Sequence, residues 1–447
     1  VANSCRFDGT SAYLSRTQGT PTDIDKYTIS VWFKRSALFN GSYQNIIGTD
    51  HQSVREAIRF NDDADSLTWD FKNASNTKSN ITPNQLFRDV ASWYNLVCIF
   101  DSANGTANLR RRIFLNGTEI TSFAAVTYNA QNEDGNLNKG GQNIVIGIPA
   151  AANNFFSGYM SEFVFVDGQA LTPDGNFGEF DEDSGIWKPI DVSGLTFGNN
   201  GFYLDFEDSG DLGDDESGNG NDFAETNLAA IDQSTDTCTN NFATLNVLNK
   251  GTSVSLSEGN LAYTAPSGSF ASVLSTIGFS QGKWYAEYQW KSGSNSHVGI
   301  GKENINYNHY LSYTANGYSY YKDGRKFNNS SASSYGNSYA VDDIIGVALD
   351  LDNGAIWFSK NGTWQNSATL TEIQNGTTTN AAFTSLSGEF FFGTGMGNSN
   401  ELAYFNFGSP PYSESGGETD GNGYGNFAHE VPSGYYSLNT KNLAEYG

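Results

Sequence analysis

The stretch TISVWFKR (residues 28–35) decides the fold. Ile29, Val31 and Phe33 fall at every second position, with Ser30 and Trp32 on the opposite face. Successive side chains of a strand point to opposite faces, so this period of two reads as a half-buried antiparallel strand. The same texture returns in SWYNLVCIF (92–100), RIFLNG (112–117), NIVIGI (143–148) and YMSEFVFVDG (159–168), with turn residues between the runs and no amphipathic helix. Such runs pack most naturally as a two-sheet sandwich. A polar, turn-rich region follows from 167 to 245, broken by the strand-like GFYLDF (201–206), and reads as loops that close the first domain. A second strand-rich block then spans about 250 to 411. Within it KWYAEYQW (283–290) alternates Trp284, Ala286, Tyr288 and Trp290 with Lys283, Tyr285, Glu287 and Gln289. Asp323-Gly324, Asn353-Gly354 and Asn361-Gly362 are hairpin signals, because a two-residue turn of the right twist needs positive φ at both central positions. The expectation is an all-β chain of two antiparallel β-sandwiches in tandem. The boundaries are 1–240 with its closing acidic loop region, 241–411, and a Gly- and Ser-rich C-terminal extension, 412–447.

Composition agrees and narrows the function. Among 447 residues stand 31 Phe, 24 Tyr and 8 Trp, against only 2 Met, and aromatic residues favour strands. Twenty-four Lys and Arg against 49 Asp and Glu leave a net charge of −25, which disfavours a nucleic-acid surface and docking on anionic lipid. The chain holds no apolar run long enough to cross a membrane, and no signal peptide opens it; it starts at Val1, so an upstream part is left open. Cys5, Cys98 and Cys238 have no metal-binding spacing, and Cys98, inside WYNLVCIF, reads as a core thiol.

The motifs that promise catalysis fall away one by one. GFSQG (278–282) has the G-x-S-x-G spacing of a nucleophile elbow, but Ser280 would have to open a helix, and a strand follows instead. GEFDEDSG (178–185) resembles the E-x-D-x-x-E strand of laminarinase-type glycoside hydrolases, whose carboxylates share one face. Glu179, Asp181 and Asp183 keep that period. However, Glu182 would point into a core and Ser184 stands where the motif needs Glu, so a solvated acidic loop is the better reading. His51, His297, His309 and His429 are scattered, and the run Arg110, Arg111, Arg112 reads as an exposed strand edge.

DLGDDESGNGNDF (211–223) is the remaining candidate. Asp215-x-Ser217-x-Asn219-Gly220 has the rhythm of the first half of a calcium loop, with oxygen ligands at alternate positions and Gly for the turn. Thr226 occupies the twelfth place, where an EF-hand needs Glu, and GFYLDF is a strand, so an EF-hand is excluded. Two readings stay open and equal: a looser calcium site at Asp205, Asp214, Asp215 and Asn219, or a chain of Asx turns in which these side chains cap their own backbone. Calcium is the one cofactor this leaves open.

SCRFDGTSAYLSRT, TISVWFKR, LFRDVASWYNLV, FSGYMSEFVFVDGQALTP, GFYLDFEDSGDLGDDESGNGNDF and TNNFATLN, in this order, resemble a laminin-G-like (concanavalin-A-like lectin/glucanase) module over residues 1 to about 248. This version is similar to modules of bacteriophage tail-fibre and other virion surface proteins. GKWYAEYQW, HVGIG, GYSYYKDGRKF, DIIGVALDLDNGAIWFSKNGTW and FFFGTGMGNSNELAYFNFG resemble a SPRY domain, and VPSGYYSLNTKNL (431–443) resembles the closing segment of the same phage proteins.

The resemblance implies a concanavalin-A-like jelly roll and then a SPRY-like sandwich, displayed on a virion surface after synthesis in the bacterial host cytoplasm. Both families mostly bind carbohydrate or protein through loops at one end or face, and many laminin-G-like modules hold calcium. The expected function is that of a tail fibre or capsid-attached fibre that binds a host-surface glycan or receptor. The alternatives are an architectural decoration protein and a glucanase-like depolymerase. No catalytic residue is expected. Other virion proteins are expected partners, with a homo-oligomer (a trimer by analogy) and neither nucleic acid nor membrane insertion. For the sugar contact the candidates are Tyr310, Tyr318 and Tyr320, from a tyrosine-rich block whose competing role is core packing.

Overall fold

The computed structural model describes residues 1–38, 41, 43–49, 54–61, 65–73, 78–148, 155–265, 268–397, 400–413 and 416–447; His51 lies outside them. The chain forms two compact units, Val1–Thr239 and Asn240–Gly447. Each is a pair of antiparallel sheets with a core between them.

In the first unit one sheet runs in the order Thr118–Glu119, Arg111–Leu115, Trp93–Asp101, Lys26–Arg35, Ser157–Asp167, Ser4–Asp8 and Gln233–Ser234, with Phe202–Leu204 also paired to Ser157–Asp167. The opening stretch is therefore the middle of this sheet, with Ile29 opposite Cys98 on one side and Phe165 on the other. The second sheet holds Phe123–Val126, Lys78–Pro83, Leu67–Lys72, Arg55–Phe60, Gln44–Thr49, Asn143–Ile146, Tyr13–Thr17 and Ala224–Thr226. Ile29, Val31, Phe33 and Cys98 enter the core between the sheets, as the alternation requires.

The other face of Lys26–Arg35 is not solvated. Trp32 is 4% exposed and packs with Trp93, Tyr159 and Trp187, while Phe177, Val192 and Phe197 cover Val97, Ile99, Val164 and Val166 nearby. The polar region after 167 is thus a roof as well as a connection, and the strand beneath it is buried on both faces. Trp187 is anchored by its Nε1, which donates to Asn95 Oδ1 at 3.0 Å. GEFDEDSG forms a hairpin of Gly178–Phe180 with Trp187–Pro189; its exposed carboxylates at Glu179 and Asp181 both pair with Lys188 at 3.2 Å.

The arginine run departs from its expected place. Arg112 pairs with Glu119, but Arg111 is 2% exposed and lies in the core, stacked 4.4 Å over the Trp69 ring. Alternation along Arg111–Leu115 turns every second residue inward, and position 111 is inward together with Ile113.

In the second unit one sheet runs Leu245–Lys250, Phe270–Ser275, Phe391–Gly397, His297–Gly301, Gly317–Tyr321, Arg325–Asn328 and Ser331–Ser334. The facing sheet runs Ser255–Ser257, Ala262–Ala265, Glu401–Asn406, Lys283–Ser292, Ile344–Asp350, Ala355–Lys360 and Thr363–Trp364. The three dipeptide turns join neighbouring strands, and Asn361-Gly362 has φ of +47° and +76°. Ser280 lies in the exposed turn that feeds Lys283–Ser292, so no elbow forms. Residues 412–447 are built into this unit: Tyr436–Ser437 pairs in parallel with Trp284 and Tyr285 of the central strand.

Candidate binding surface

The outer face of the first sheet of the second unit carries the most distinctive surface. Alternation along His297–Gly301, Gly317–Tyr321 and Phe391–Gly397 sends Val298, Ile300, Tyr318, Tyr320, Phe392 and Met396 toward the core. It leaves Gly299, Gly301, Gly317, Gly393, Gly395 and Gly397 outward, with Ser319 and Leu274 among them, so much of the centre of this face is backbone alone. The segment 303–316 lies down on that bare floor. A Cβ at Gly317 would sit 1.9 Å from Leu311 O, and one at Gly395 2.4 Å from Leu311 N; glycine is what lets the segment approach. Lys302 N donates to Asn316 O at 2.9 Å and closes the segment, and Ser272 N donates to Tyr307 O at 2.8 Å and ties it to the sheet.

Held this way, the segment assembles an aromatic shelf with the outward residues of the strands around it. Phe270, His309 and Tyr313 form a stack with centroid spacings of 5.4 and 3.5 Å and nearly parallel planes. Tyr310 stands across this stack and lies flat on His297 at 4.8 Å. Tyr321 and Phe327 flank His297, and the Arg325 guanidinium lies 5.0 Å over Phe327 while paired with Asp323. Tyr313 is 40% exposed and the other rings are half-buried, except His297, which is buried under them. Stacked, partly exposed rings beside hydrogen-bonding edges suit a ligand with flat apolar faces and a polar rim.

His297 Nδ1 lies 2.9 Å from Ser319 Oγ, which is 2.6 Å from Ser312 Oγ. Both serines are fully buried, so this Ser–His pair presents no nucleophile to a substrate. Burial pushes the imidazole down to about 3, with Arg325 and His309 acting in the same direction and Asp323 against it. A folded-state value below the ordinary 6.5 means that the unfolded chain takes up the proton first. Stability from this residue is therefore full above about pH 6.5 and falls by about 1.4 kcal/mol per unit below it, down to pH 3. Thermal melting from pH 7 to pH 5 is expected to show a steeper loss for the natural chain than for His297→Asn, which titrates nothing; equal slopes would refute it.

Of the three tyrosines read as sugar contacts, only Tyr310 faces outward. Tyr320 is fully buried among Tyr335, Tyr339 and Phe358, and its hydroxyl donates to Asn337 O. Tyr318 packs inward on Phe383 and Phe390. The even spacing of 318 and 320 puts both on the core face, and position 321 is the outward one. Phe270, His297, His309 and Phe327 were not foreseen; the alternating glycines of HVGIG and FFGTGMG were the available signal of a floor.

The acidic stretch of the first unit is an ordered turn. Asp215 is buried, and its carboxylate accepts from Tyr203 N, Ser217 N, Ser217 Oγ and Asn221 N at 2.8–3.0 Å. Asn219 spends its amide on the carbonyls of Gly198 and Gly201. Asp205 caps Glu207 N, and burial raises its carboxyl. Asp214 is also raised, by desolvation and then by Asp222, Asp211 and Asp208. Among the described residues no group of three or more His, Cys, Asp or Glu side chains is placed to hold a metal ion.

With this geometry in view, residues 8–175 match the concanavalin A-like lectin/glucanases superfamily and residues 283–410 match the SPRY domain. The chain carries a concanavalin A-like domain followed by a SPRY domain. The SPRY match starts after Phe270 and stops before 412–447, yet both are built into the SPRY unit. No curated protein matches the chain. Among solved structures, it is similar to the SPRY domain of human HERC1 (18% identity, 36% of this chain and 96% of that one, TM-score 0.30). It is also similar to a heptameric SAP-like pentraxin from Limulus polyphemus (16% identity, 38% and 78%, TM-score 0.29).

Proposed function

We propose that this chain is a non-catalytic phage virion surface protein, a tail fibre or capsid-attached fibre, that binds a host-surface glycan or protein through the aromatic shelf of its SPRY unit. The observation that carries the reading is the shelf itself: His309, Tyr310 and Tyr313 are carried by a segment whose Ile305 and Leu311 are buried on the glycine-rich floor, and they meet Phe270 of the neighbouring strand at the surface. Exposed rings offer large apolar faces against which the C–H face of a sugar can be buried. Assembly as a homo-oligomer with other virion proteins belongs to the same reading. The acidic stretch acts in it as a turn: Asp215 already accepts four hydrogen bonds that a calcium ion would have to displace.

One observation favours the depolymerase alternative. Glu162 is the carboxyl such an enzyme would use as its acid: burial raises it to about 7, against a hydrogen bond from the Tyr203 hydroxyl at 2.7 Å. The test is competition for adsorption. Excess purified chain is expected to block phage adsorption to host cells, and Phe270→Ala with Tyr313→Ala to weaken the block about tenfold or more. The effect is expected to be the same in calcium and in chelator. No block by the natural chain, with antibody labelling on particles, would leave the architectural role. New reducing ends from host polysaccharide would leave the enzyme.

A further inference from the structure

The SPRY unit has a second concavity at the open edge of its sandwich. Ser331–Ser334 ends one sheet and Thr363–Trp364 ends the other. The residues that follow each strand, 335–337 and 365–367, form the two walls of an open groove of about 560 Å³. Gln365 is buried and links the walls: its Oε1 accepts from Asn337 N at 2.8 Å, while its Nε2 donates to Thr363 O at 2.7 Å. The groove is thus set by the fold and needs no ordering when occupied.

Its lining is entirely neutral. Ser334, Asn337 and Ser367 are exposed, and their side chains make no hydrogen bond among the described residues. Trp364 is half-buried against a small core that includes Trp357 and Phe427, and its indole N–H has no acceptor among the described residues. An aromatic ring edge with amide and hydroxyl groups of both donor and acceptor type matches the alternating C–H faces and hydroxyl rims of a sugar. The neighbouring lysines, Lys326 over Tyr335 and Lys360 at Ser338 O, are already engaged with Ala382 O and Asp343, and the chain's net charge of −25 repels polyanions.

We infer that this groove binds a neutral oligosaccharide, as a site separate from the aromatic shelf. The inference deepens the reading of the chain as a glycan-binding protein, and its test does not run through the shelf. The full chain, labelled with ¹⁵N, is titrated with malto-, cello- and laminari-oligosaccharides and, as the charged arm, with oligogalacturonate. The readout is the Trp364 indole resonance, located by Trp364→Phe. At least one neutral series is expected to shift it. Affinity is expected to fall about tenfold in Trp364→Ala and several-fold in Asn337→Ala, whose exposed side chain holds nothing in the fold. Tyr313→Ala is expected to bind as before, so a failure of the shelf and a failure of the groove are told apart. The inference is overturned if no neutral series moves the resonance, if oligogalacturonate binds equally well, or if Asn337→Ala and Trp364→Ala bind unchanged.

Discussion

Replacing Glu56 with Ala lowers the stability of the first unit by about 3–5 kcal/mol, the usual consequence of leaving one partner of a buried charged network alone. Glu56 is fully buried between the two sheets. Its Oε1 accepts from Trp69 Nε1 at 2.9 Å and from the Tyr27 hydroxyl, and its Oε2 accepts from the backbone N–H groups of Asn136 and Leu137 at 2.9 and 3.1 Å. Trp69 in turn carries Arg111 on its face, and Arg111 donates to Trp69 O, Ser79 O and Asn129 Oδ1. Removing the carboxylate strands four donors at once and takes away the negative charge that offsets the Arg111 guanidinium. Gln is no rescue, because its NH₂ must face one pair of those donors. Arg111→Met is expected to cost a similar amount, since it strands the carbonyls and leaves Glu56 uncompensated. The double variant should lose less than the sum, because the two share one network. Melting read by hydrogen exchange assigns the effect: a shift of roughly 10 °C confined to residues 1–239 is expected. A Glu56→Ala chain that melts with the natural one would refute the network's role.

That network also marks where sequence reading ran out. Local chemistry was legible. Asn361-Gly362 announced its hairpin because the turn's geometry depends on those two residues alone. TISVWFKR gave its core face correctly through Ile29, Val31 and Phe33, yet the burial of Trp32 depends on Trp187, more than 150 residues later, and no period reports a roof that distant. Arg111 looked like an edge because charge normally signals solvent; its alternation said inward, and its carboxylate partner lies 55 residues away on the other sheet. The shelf failed to appear for the same reason. Tyrosine density pointed to the right block, but only pairing register separates Tyr321, which faces out, from Tyr318 and Tyr320, which face in, and Tyr310 comes from the segment laid over the sheet. Phe270 enters from a strand about forty residues earlier in the chain, which only the sheet brings near.

Ending the chain at residue 411 is expected to unfold the SPRY unit, although the deleted segment looks like a Gly- and Ser-rich extension and lies beyond the SPRY match. The segment fills a second core layer. Phe427, Tyr435 and Leu438 are fully buried and Val431 nearly so, against Tyr285, Trp357, Ile373 and the main core. Burying one such side chain contributes about 1.5–3 kcal/mol, so four approach the ~5–15 kcal/mol that holds a domain together. Polar groups add to the loss. Buried Glu287 accepts from Ala428 N and His429 N at 2.9 and 3.0 Å, and buried Asn406 donates its Nδ2 to Asn426 O at 2.7 Å. Without the segment, Glu287 loses two of its donors and the apolar layer around it loses Phe427, Val431 and Tyr435. In the intact chain, Glu287→Ala keeps the apolar layer but takes an acceptor from the N–H groups of Ala428 and His429, from the Tyr285 hydroxyl and from Asn406 Nδ2, at a cost of about 2–3 kcal/mol. The expected series is therefore graded: the natural chain most stable, Glu287→Ala lower but cooperative, and the 1–411 chain without a melting transition in residues 240–411. Limited proteolysis reads the same order, with early cuts in that region only in the shortened chain. If the 1–411 chain kept its transition within a few degrees of the natural one, the segment would be an appendage, and the SPRY core would end where its sequence match does.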